Sequence, residues 1–357
     1  MRKNISDLRE GDKVEEFYAV QQREKKISSN NAPYLNIVLT DKTGSIGATA
    51  WNDVERLFAV LEPNTIVKVC GSITKFGEKL QFKIFDARTP REGEDCGSLE
   101  LYRSKSPYDF EAMWKELEAF RAGIKDPFVA KLLASFFDDP GFAARFKDHT
   151  AAKAMHHACA GGLMEHTLGV TRFCAKTAEL YPKLDRDLLL AGAMLHDIGK
   201  VYEMDGVLTT DYTTEGRLLG HIVIGCELVG RACDAIKDFP AEIKLMIRHM
   251  IASHHGKLEF GSPVVPQTPE AMALFRADEF DSHIYSAFRT IGEEQDQPGD
   301  FTSRIKGLDT ALYKTAAAKG DGTYSMAFPE GCEKEPRTPS EEPKPPKGPA
   351  QTDLFIK

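Results

Sequence analysis

Residues 35–53, LNIVLTDKTGSIGATAWND, decide the fold of the first part of the chain. Short β-rich runs flank a polar, glycine-containing turn here, and this texture extends from residue 11 to about residue 88. Such runs predict β-strands, and we expect five of them, over residues 14–22, 34–40, 47–51, 65–74 and 79–86. A hairpin is expected at residues 75–78 and a short helix over residues 53–61, after the third strand. The pattern is typical of a small all-β barrel.

Five strands with a helix after the third are the layout of an OB-fold, a barrel that often binds oligonucleotides through one face and its loops. Residues 35–53, together with TIVKVCGSITKFGEKLQFKI at residues 65–84, resemble OB-type nucleic-acid-binding domains. Aromatic rings and a positive groove bind single strands without sequence preference. The candidate strand-binding residues are Tyr34, Trp51, Lys75, Phe76 and Lys79. Because inward and outward positions alternate, about half of the barrel's rings should be core instead, with Trp51 and Phe76 at the surface.

The sequence texture changes after the barrel. Residues 91–107 lack periodicity and predict a linker, and helical patterning follows from residue 108 to about residue 318. Residues 329–357 combine dense proline with charge, which predicts a disordered tail that ends in QTDLFIK. The expected fold class is therefore multidomain β + α. It comprises a five-stranded OB-type barrel at residues 1–90, an all-helical domain at residues 108–318 and a disordered C-terminal tail.

Composition excludes several classes of protein. Of the 357 residues, 42% are hydrophobic and 28% charged, and no uninterrupted apolar run of membrane-spanning length occurs. The polar first residues contain no apolar export segment, so we expect a cytoplasmic protein. Seven cysteines without a CxxC pair argue against a disulfide framework or a zinc knuckle. The net charge is −8, but residues 1–90 hold 14 Lys and Arg against 12 Asp and Glu, so nucleic acid is not excluded.

Histidine is concentrated in one part of the chain, because all ten residues fall between positions 149 and 283. Imidazoles and carboxylates together bind divalent Mn, Fe, Co or Zn, and a two-metal site needs about six such groups. A single histidine on a helix is usually structural, as we expect for His249 and His283. Neighbouring residues diverge by about 100° around a helix, so an adjacent His-Asp pair serves one site only at a helix end or a shared cleft. The candidate ligands are His166, His196, Asp197, His221, His254, His255 and Asp278.

The order of these ligands, H, HD, H, HH and D, resembles the HD superfamily of metal-dependent phosphohydrolases, which have an all-helical fold. Four longer segments are similar to YhaM-type 3′ to 5′ exoribonucleases, which pair an N-terminal OB domain with an HD domain. These segments are MHHACAGGLMEHT at 155–167, LHDIGK at 195–200, SHHGKLEFGSP at 253–263 and EAMALFRADEFDSHI at 270–284. The resemblance covers approximately residues 10–310.

This resemblance implies two divalent cations, with manganese expected and iron, cobalt or magnesium as alternatives. Asp197 would bridge the cations and take part in catalysis. One cation would be held by His166, His196 and Asp278, and the other by His221, His254 and His255. Lys200 would contact a phosphate oxygen as a second catalytic residue, unless it is a solvated helix-end lysine. His156 and His157 would contact phosphate or support the ligands, unless they simply pack.

The implied activity is hydrolysis of single-stranded RNA, and of DNA as a further substrate, to nucleoside 5′-monophosphates. Two alternatives stay open: an HD phosphohydrolase of nucleotides or cyclic dinucleotides, and a non-catalytic single-strand-binding regulator. No ligand of the set is missing, which disfavours the regulator. The terminal QTDLFIK resembles the clamp-binding peptides of bacterial replication proteins, so Gln351, Leu354 and Phe355 are candidates for docking to a sliding clamp. An unimportant tail is the alternative.

Overall fold

The computed structural model describes residues 2–77, 79–152, 159–206, 208–305 and 307–315. Several predictions lie outside these residues: the roles of His156 and His157, the tail at residues 329–357, and the clamp-type peptide with Gln351, Leu354 and Phe355.

The N-terminal part of the chain is a closed five-stranded barrel, as predicted. Its strands are β1 (Lys13–Ile27), β2 (Pro33–Asp41), β3 (Gly44–Ala50), β4 (Ile66–Phe76) and β5 (Lys79–Arg88), joined in the order β1-β2-β3-β5-β4. The short helix α1 (Val54–Val60) follows β3. On β2, Leu35, Ile37 and Leu39 are fully buried, whereas the residues between them are less buried. This alternation places one face of the strand in the barrel core.

The second part of the chain is helical. Its helices are α2 (Phe110–Ala122), α3 (Pro127–Phe137), α4 (Pro140–Asp148), α5 (Gly162–Leu180), α6 (Arg186–Leu195), α7 (Lys200–Glu203), α8 (Thr214–Ala235), α9 (Ala241–Ser253) and α10 (Pro269–Glu293). A two-residue strand pair, β6 (Met204–Asp205) and β7 (Asp211–Tyr212), lies between α7 and α8. Among the described residues, no helix has the length and apolar character needed to cross a membrane.

Helix starts follow local capping chemistry. At α3, α4 and α10 a proline occupies one of the first two helical positions, and the side chain of the preceding residue accepts backbone N–H bonds. The predicted cap at Thr268 is confirmed, since its hydroxyl accepts from Ala271 N at 3.1 Å. Fully buried side chains from four helices share the core of this domain: Leu168 of α5, Leu190 of α6, Ile251 of α9 and Leu274 of α10.

The predicted linker at residues 91–107 packs against the barrel, since its Tyr102 is fully buried and lies against Phe17 and Ala19 of β1. One expectation about the end of the helical part is wrong. Helical structure does not continue to residue 318, because α10 ends at Glu293 shortly before a Pro-Gly pair at 298–299. Instead, the buried Lys314 donates to the carbonyl oxygens of Glu294 and Gln297.

The barrel and the helical part contact each other directly. The backbone N–H groups of Leu208 and Thr209 donate to Asn64 Oδ1 at 2.7 and 3.2 Å, and Leu208 packs against the cluster around Tyr102. Lys42 N in the turn between β2 and β3 donates to the carbonyl oxygen of Leu101 at 3.1 Å. These contacts orient the barrel relative to the site described next.

Candidate metal centre and strand-binding face

Two helix ends place the two adjacent ligand pairs. Helix α6 ends at Leu195, directly before His196 and Asp197, and α9 ends at Ser253, directly before His254 and His255. The chain leaves the helix at each pair, so adjacent side chains can face one centre, as the sequence predicts for His196 and Asp197. The structure brings all seven predicted ligands together, with His166 supplied by α5, His221 by α8 and Asp278 by α10.

The buried carboxylate of Asp197 lies between two sets of histidines. Its Oδ2 is 3.5 Å from His166 Nε2 and 3.3 Å from His196 Nε2. Its Oδ1 is 3.5 Å from His221 Nε2 and 3.6 Å from His254 Nε2. Each oxygen of one carboxylate therefore faces a different pair of imidazoles.

The first ligand set also contains Asp278. Its Oδ1 lies 3.1 Å from His166 Nε2, and His166 Nε2 lies 3.2 Å from His196 Nε2. In the second set, the His255 ring centroid lies 4.3 Å from that of His254 and 5.2 Å from that of His221. Ligand atoms within each of the groups His166, His196, Asp197 and His221, His254, His255 lie within 4.8 Å of one another.

Among the residues that the structure describes, three polar atoms at this centre are buried without a hydrogen-bond partner: Asp197 Oδ1, His221 Nε2 and His254 Nε2. An unsatisfied buried polar atom costs about 1–3 kcal/mol, so three of them facing one another need a compensating interaction. A divalent cation supplies one, because imidazole nitrogen and carboxylate oxygen are its usual protein ligands. The residues present therefore fit a metal centre.

All five histidines of the centre use Nδ1 as the hydrogen-bond donor. His196, His254 and His255 donate to the backbone carbonyl oxygens of Ala193, Ile251 and Phe260 at 2.7, 2.8 and 2.9 Å. This assignment leaves each Nε2 lone pair for a cation, which is the usual arrangement of metal-binding histidines.

Carboxylates accept from the other two histidines. His166 Nδ1 donates to Asp281 Oδ2 at 2.7 Å, and His221 Nδ1 donates to Glu203 Oε1 at 3.1 Å. Asp281 and Glu203 are buried, and one of them supports each ligand set. Sequence reasoning missed both. For Asp281 a signal was available, because it lies three residues after Asp278 on the same helix.

Glycines make room for these contacts. A Cβ at Gly169 would lie 2.3 Å from Asp281 Oδ1, and a Cβ at Gly199 would lie 2.0 Å from the carbonyl oxygen of His221. Gly220, with φ of 72°, interrupts the helical backbone of α8. The next residue, His221, can therefore donate its backbone N–H to Glu203 Oε1 at 3.0 Å.

Electrostatics keep two of the ligands, Asp197 and His254, in their metal-binding forms. Burial acts to raise the pKa of Asp197, but Lys200 and His196 outweigh it and hold that pKa well below its usual range. Burial, with the nearby His255 and His196, lowers the pKa of His254 well below its usual range. Asp197 is therefore a carboxylate and His254 a neutral imidazole, as cation binding requires.

Lys200 lies inside the centre. Its side chain is buried, with the residue only 7% exposed, and Nζ donates to Asp197 Oδ2 at 2.6 Å. The alternative of a solvated helix-end lysine is wrong, because the start of α7 lies against the ligand cluster. His249 has a structural contact, accepting from Gln267 N at 2.9 Å.

The predicted strand-binding residues form two groups on the barrel. Tyr34 and Trp51 stack with centroids 4.4 Å apart and planes 12° apart, and Trp51 is 44% exposed. Phe76, at the tip of the β4–β5 hairpin, is 79% exposed, and Lys75 and Lys79 beside it are exposed as well. The pairing of Gly47 with Gln81 places Lys79 level with position 45 of β3, six residues from Trp51 and roughly 20 Å away.

A third ring extends the first group. The parallel pairing of Ala50 with Ile84 carries Phe85, 51% exposed, to the position beside Trp51. Tyr34, Trp51 and Phe85 thus form a row of rings across β2, β3 and β5, which we call the aromatic row. Sequence reasoning missed Phe85, although its alternation with the buried Phe82 and Ile84 was a signal.

A cavity of about 1160 Å³ lies between the barrel and the helical part. It is lined by the turn between β2 and β3, by residues 102–105, and by residues next to the ligands, including Glu165 and Tyr202. Glu165 directly precedes His166, and Tyr202 lies two residues after Lys200.

Comparisons with protein families agree with the division of the chain into a barrel and a helical part. The HD domain model matches residues 163–282, and an OB-fold nucleic acid binding domain model matches residues 20–89. All seven predicted ligands lie within the first match.

Solved structures that are similar to this chain cover about a quarter of it, which corresponds to the length of the barrel. The second OB-fold domain of replication protein A from Methanococcus maripaludis is 19% identical, covering 25% of this chain and 94% of that domain, with a TM-score of 0.21. The mitochondrial single-stranded DNA binding protein Rim1 from S. cerevisiae is 17% identical over 22% of this chain and 94% of that chain, with a TM-score of 0.19. At such TM-scores neither likeness carries weight for function.

HD domains bind divalent metals and indicate a metal-dependent phosphohydrolase. The chain therefore joins an N-terminal OB-fold to a helical HD domain of this type.

Proposed function

We propose that the protein is a metal-dependent 3′ to 5′ exonuclease that hydrolyses single-stranded RNA, and DNA as a further substrate, to nucleoside 5′-monophosphates. The observation that carries the proposal is the buried Asp197 carboxylate, whose two oxygens each face a separate pair of histidines. This is the arrangement expected of a carboxylate that bridges two cations.

The donor set supports two divalent cations. His166, His196 and Asp278 would hold one, and His221, His254 and His255 the other, with Asp197 between them. Mixed imidazole and carboxylate ligands suit manganese, iron or cobalt, and manganese is the metal that we expect. When bound, such a pair of cations neutralises charge on the attacking and leaving oxygens of a phosphodiester and lowers the pKa of water.

Lys200 adds a charge of the protein itself. One of its three N–H donors is used by Asp197 Oδ2, which leaves others for a non-bridging phosphate oxygen. A buried ammonium group next to the scissile phosphate would stabilise the negative charge that develops there. Lys200 would thus both hold Asp197 in place and bind the phosphate.

The barrel supports an oligomeric substrate over a free nucleotide. The aromatic row offers stacking surfaces that suit any base, and Lys26 and Lys83 are exposed on the strands that carry or flank these rings. The cavity between the barrel and the helical part would offer room for a strand that leaves the barrel. The 3′ to 5′ direction rests on the family resemblance alone.

Product analysis tests the proposal. The purified protein, loaded with manganese, is incubated with a 5′-labelled single-stranded RNA and with its DNA counterpart, and products are resolved by length over time. A ladder that shortens from the 3′ end is expected, with no shortening by the Asp197→Ala variant. Hydrolysis of mononucleotides or cyclic dinucleotides, with neither strand shortened, would contradict the proposal and favour the small-substrate alternative.

A further inference from the structure

The loop that follows the ligand His255 exposes apolar side chains beside a polar, buried centre. We call residues 257–265 the 257–265 loop. Four of its large apolar side chains are exposed: Leu258 at 65%, Phe260 at 53%, Val264 at 38% and Val265 at 44%. Exposed apolar side chains grouped at the edge of a site mark a surface that contacts a ligand or a partner.

The backbone of this loop is well defined by its own hydrogen bonds. Phe260 N and Ser262 N donate to the carbonyl oxygen of Lys257 at 3.1 and 3.3 Å, and Gly261 N donates to that of Leu258 at 3.0 Å. Gly256, with φ of 75°, passes so close to α10 that a Cβ there would lie 2.2 Å from the Phe275 ring. The loop therefore holds its exposed side chains in a fixed place.

Phe260 is linked directly to the metal centre. Its carbonyl oxygen accepts the Nδ1–H of His255 at 2.9 Å, and Lys257 Nζ lies 4.8 Å from the centroid of its ring. The loop that follows the predicted ligand His255 thus carries an aromatic ring and a positive charge.

The exposed ring of Phe260 favours a ligand with an aromatic face, and the base of a nucleotide stacks on such rings. Lys257 adds a positive charge, which Glu259 Oε1 at 3.6 Å from Nζ partly offsets. With a phosphodiester at the ligand cluster, the attached base must occupy a neighbouring position, and Phe260, whose carbonyl oxygen accepts from His255, exposes its ring. A second copy of this chain would need a larger apolar area and would cover the ligands.

We propose that Phe260 is the platform on which the base of the 3′-terminal nucleotide stacks while its phosphate lies at the metal centre. This inference rests on the proposed function and adds the recognition of the strand's last base. The aromatic row would hold the body of the strand, and Phe260 would position its end.

The test combines a Phe260→Ala variant with a substrate that lacks the terminal base. Two oligonucleotides are compared, one ordinary and one ending in an abasic 3′ nucleotide, and kcat/KM is measured for each. Phe260→Ala should lower kcat/KM about ten-fold or more on the ordinary strand. It should change kcat/KM little on the abasic strand, and Phe260→Trp should keep the activity. Leu245→Ala, which removes an exposed leucine of α9 outside the loop, is the matched control.

A binding measurement supplies a readout independent of turnover. A strand with a fluorescent 2-aminopurine at its 3′ end should be quenched by the Asp197→Ala protein, which does not hydrolyse it, but much less by a variant that combines Asp197→Ala with Phe260→Ala. Equal loss of kcat/KM on both strands would mean that Phe260 acts through His255, and would overturn the proposal. So would unchanged kinetics, or a change of oligomeric state in Phe260→Ala during sedimentation. If the wild-type protein shortened no strand, the proposed function itself would fail, which is a different result.

Discussion

Gly169 offers a way to disturb one ligand set without touching a ligand. It lies three residues after His166 on α5, where a Cβ would come within 2.3 Å of Asp281 Oδ1 and 3.1 Å of Asp281 Cγ. Asp281 accepts the Nδ1–H of His166 at 2.7 Å. We therefore predict that Gly169→Ala displaces the Asp281 carboxylate and weakens metal binding by His166, while every predicted ligand remains in the chain.

The magnitude follows from the contact distances. To reach ordinary contact with a new Cβ, the carboxylate must retreat by roughly 1 Å, which lengthens the bond from His166 beyond hydrogen-bonding range. Loss of a carboxylate that orients a metal-binding histidine weakens metal affinity about 10–100-fold, or about 1.4–2.8 kcal/mol. Replacing Gly by Ala within a helix raises the free energy of unfolding by about 0.5–1 kcal/mol, and this opposes any loss of stability.

Calorimetric titration of manganese into the metal-free protein measures the effect. In Gly169→Ala, the manganese affinity of the set that contains His166 should fall. In Asp281→Leu, the same affinity should fall at least as far. Gly230→Ala is the matched control, because a Cβ there would make only ordinary contact, 3.6 Å from Arg248 Nε. If Gly169→Ala folded normally and bound manganese like the wild type, the assigned role of Asp281 would be refuted.

Four further results are expected. Glu203→Gln should weaken manganese binding chiefly at the set that contains His221, and calorimetry showing the same profile as Gly169→Ala would contradict the division into two sets. Asp197→Ala should abolish hydrolysis in the product assay while fluorescence anisotropy shows retained strand binding; residual turnover near the wild-type rate would rule out the two-metal assignment. Trp51→Ala should weaken strand binding by about 1–3 kcal/mol in that anisotropy assay but spare hydrolysis of a dinucleotide. Unchanged strand binding would show that the aromatic row does not hold the strand. Removal of residues 350–357 should leave nuclease activity intact and abolish association with a bacterial sliding clamp in a pull-down; no association of the intact chain would end the clamp hypothesis.

The elements of the fold could be predicted largely from local patterns. Alternation along β2 and the capping sequence around Thr268 depend on neighbours in the chain, so they are visible in the sequence. The packing of Tyr102 against the barrel was not predictable in this way. It depends on a surface formed by β1, which lies far from Tyr102 in sequence.

The candidate site could be anticipated only in part, for a similar reason. Histidine spacing with the adjacent His-Asp and His-His pairs indicated the ligand set, because few other functions need that combination. Glu203 carries no such signal, since an isolated acidic residue resembles any surface glutamate until the fold places it against His221. No pattern in the sequence indicated a role for Phe260 either, because its contact with His255 depends on the turn of the loop between them.

Asp197 is proposed to bridge two cations, and electron paramagnetic resonance of the manganese-loaded protein can detect such a bridged pair. The wild-type protein should bind two Mn²⁺ per chain and give the spectrum of an exchange-coupled pair, and Asp197→Asn should lose the coupling. A single Mn²⁺ per saturated chain, or two ions without exchange coupling in the wild type, would contradict the claim.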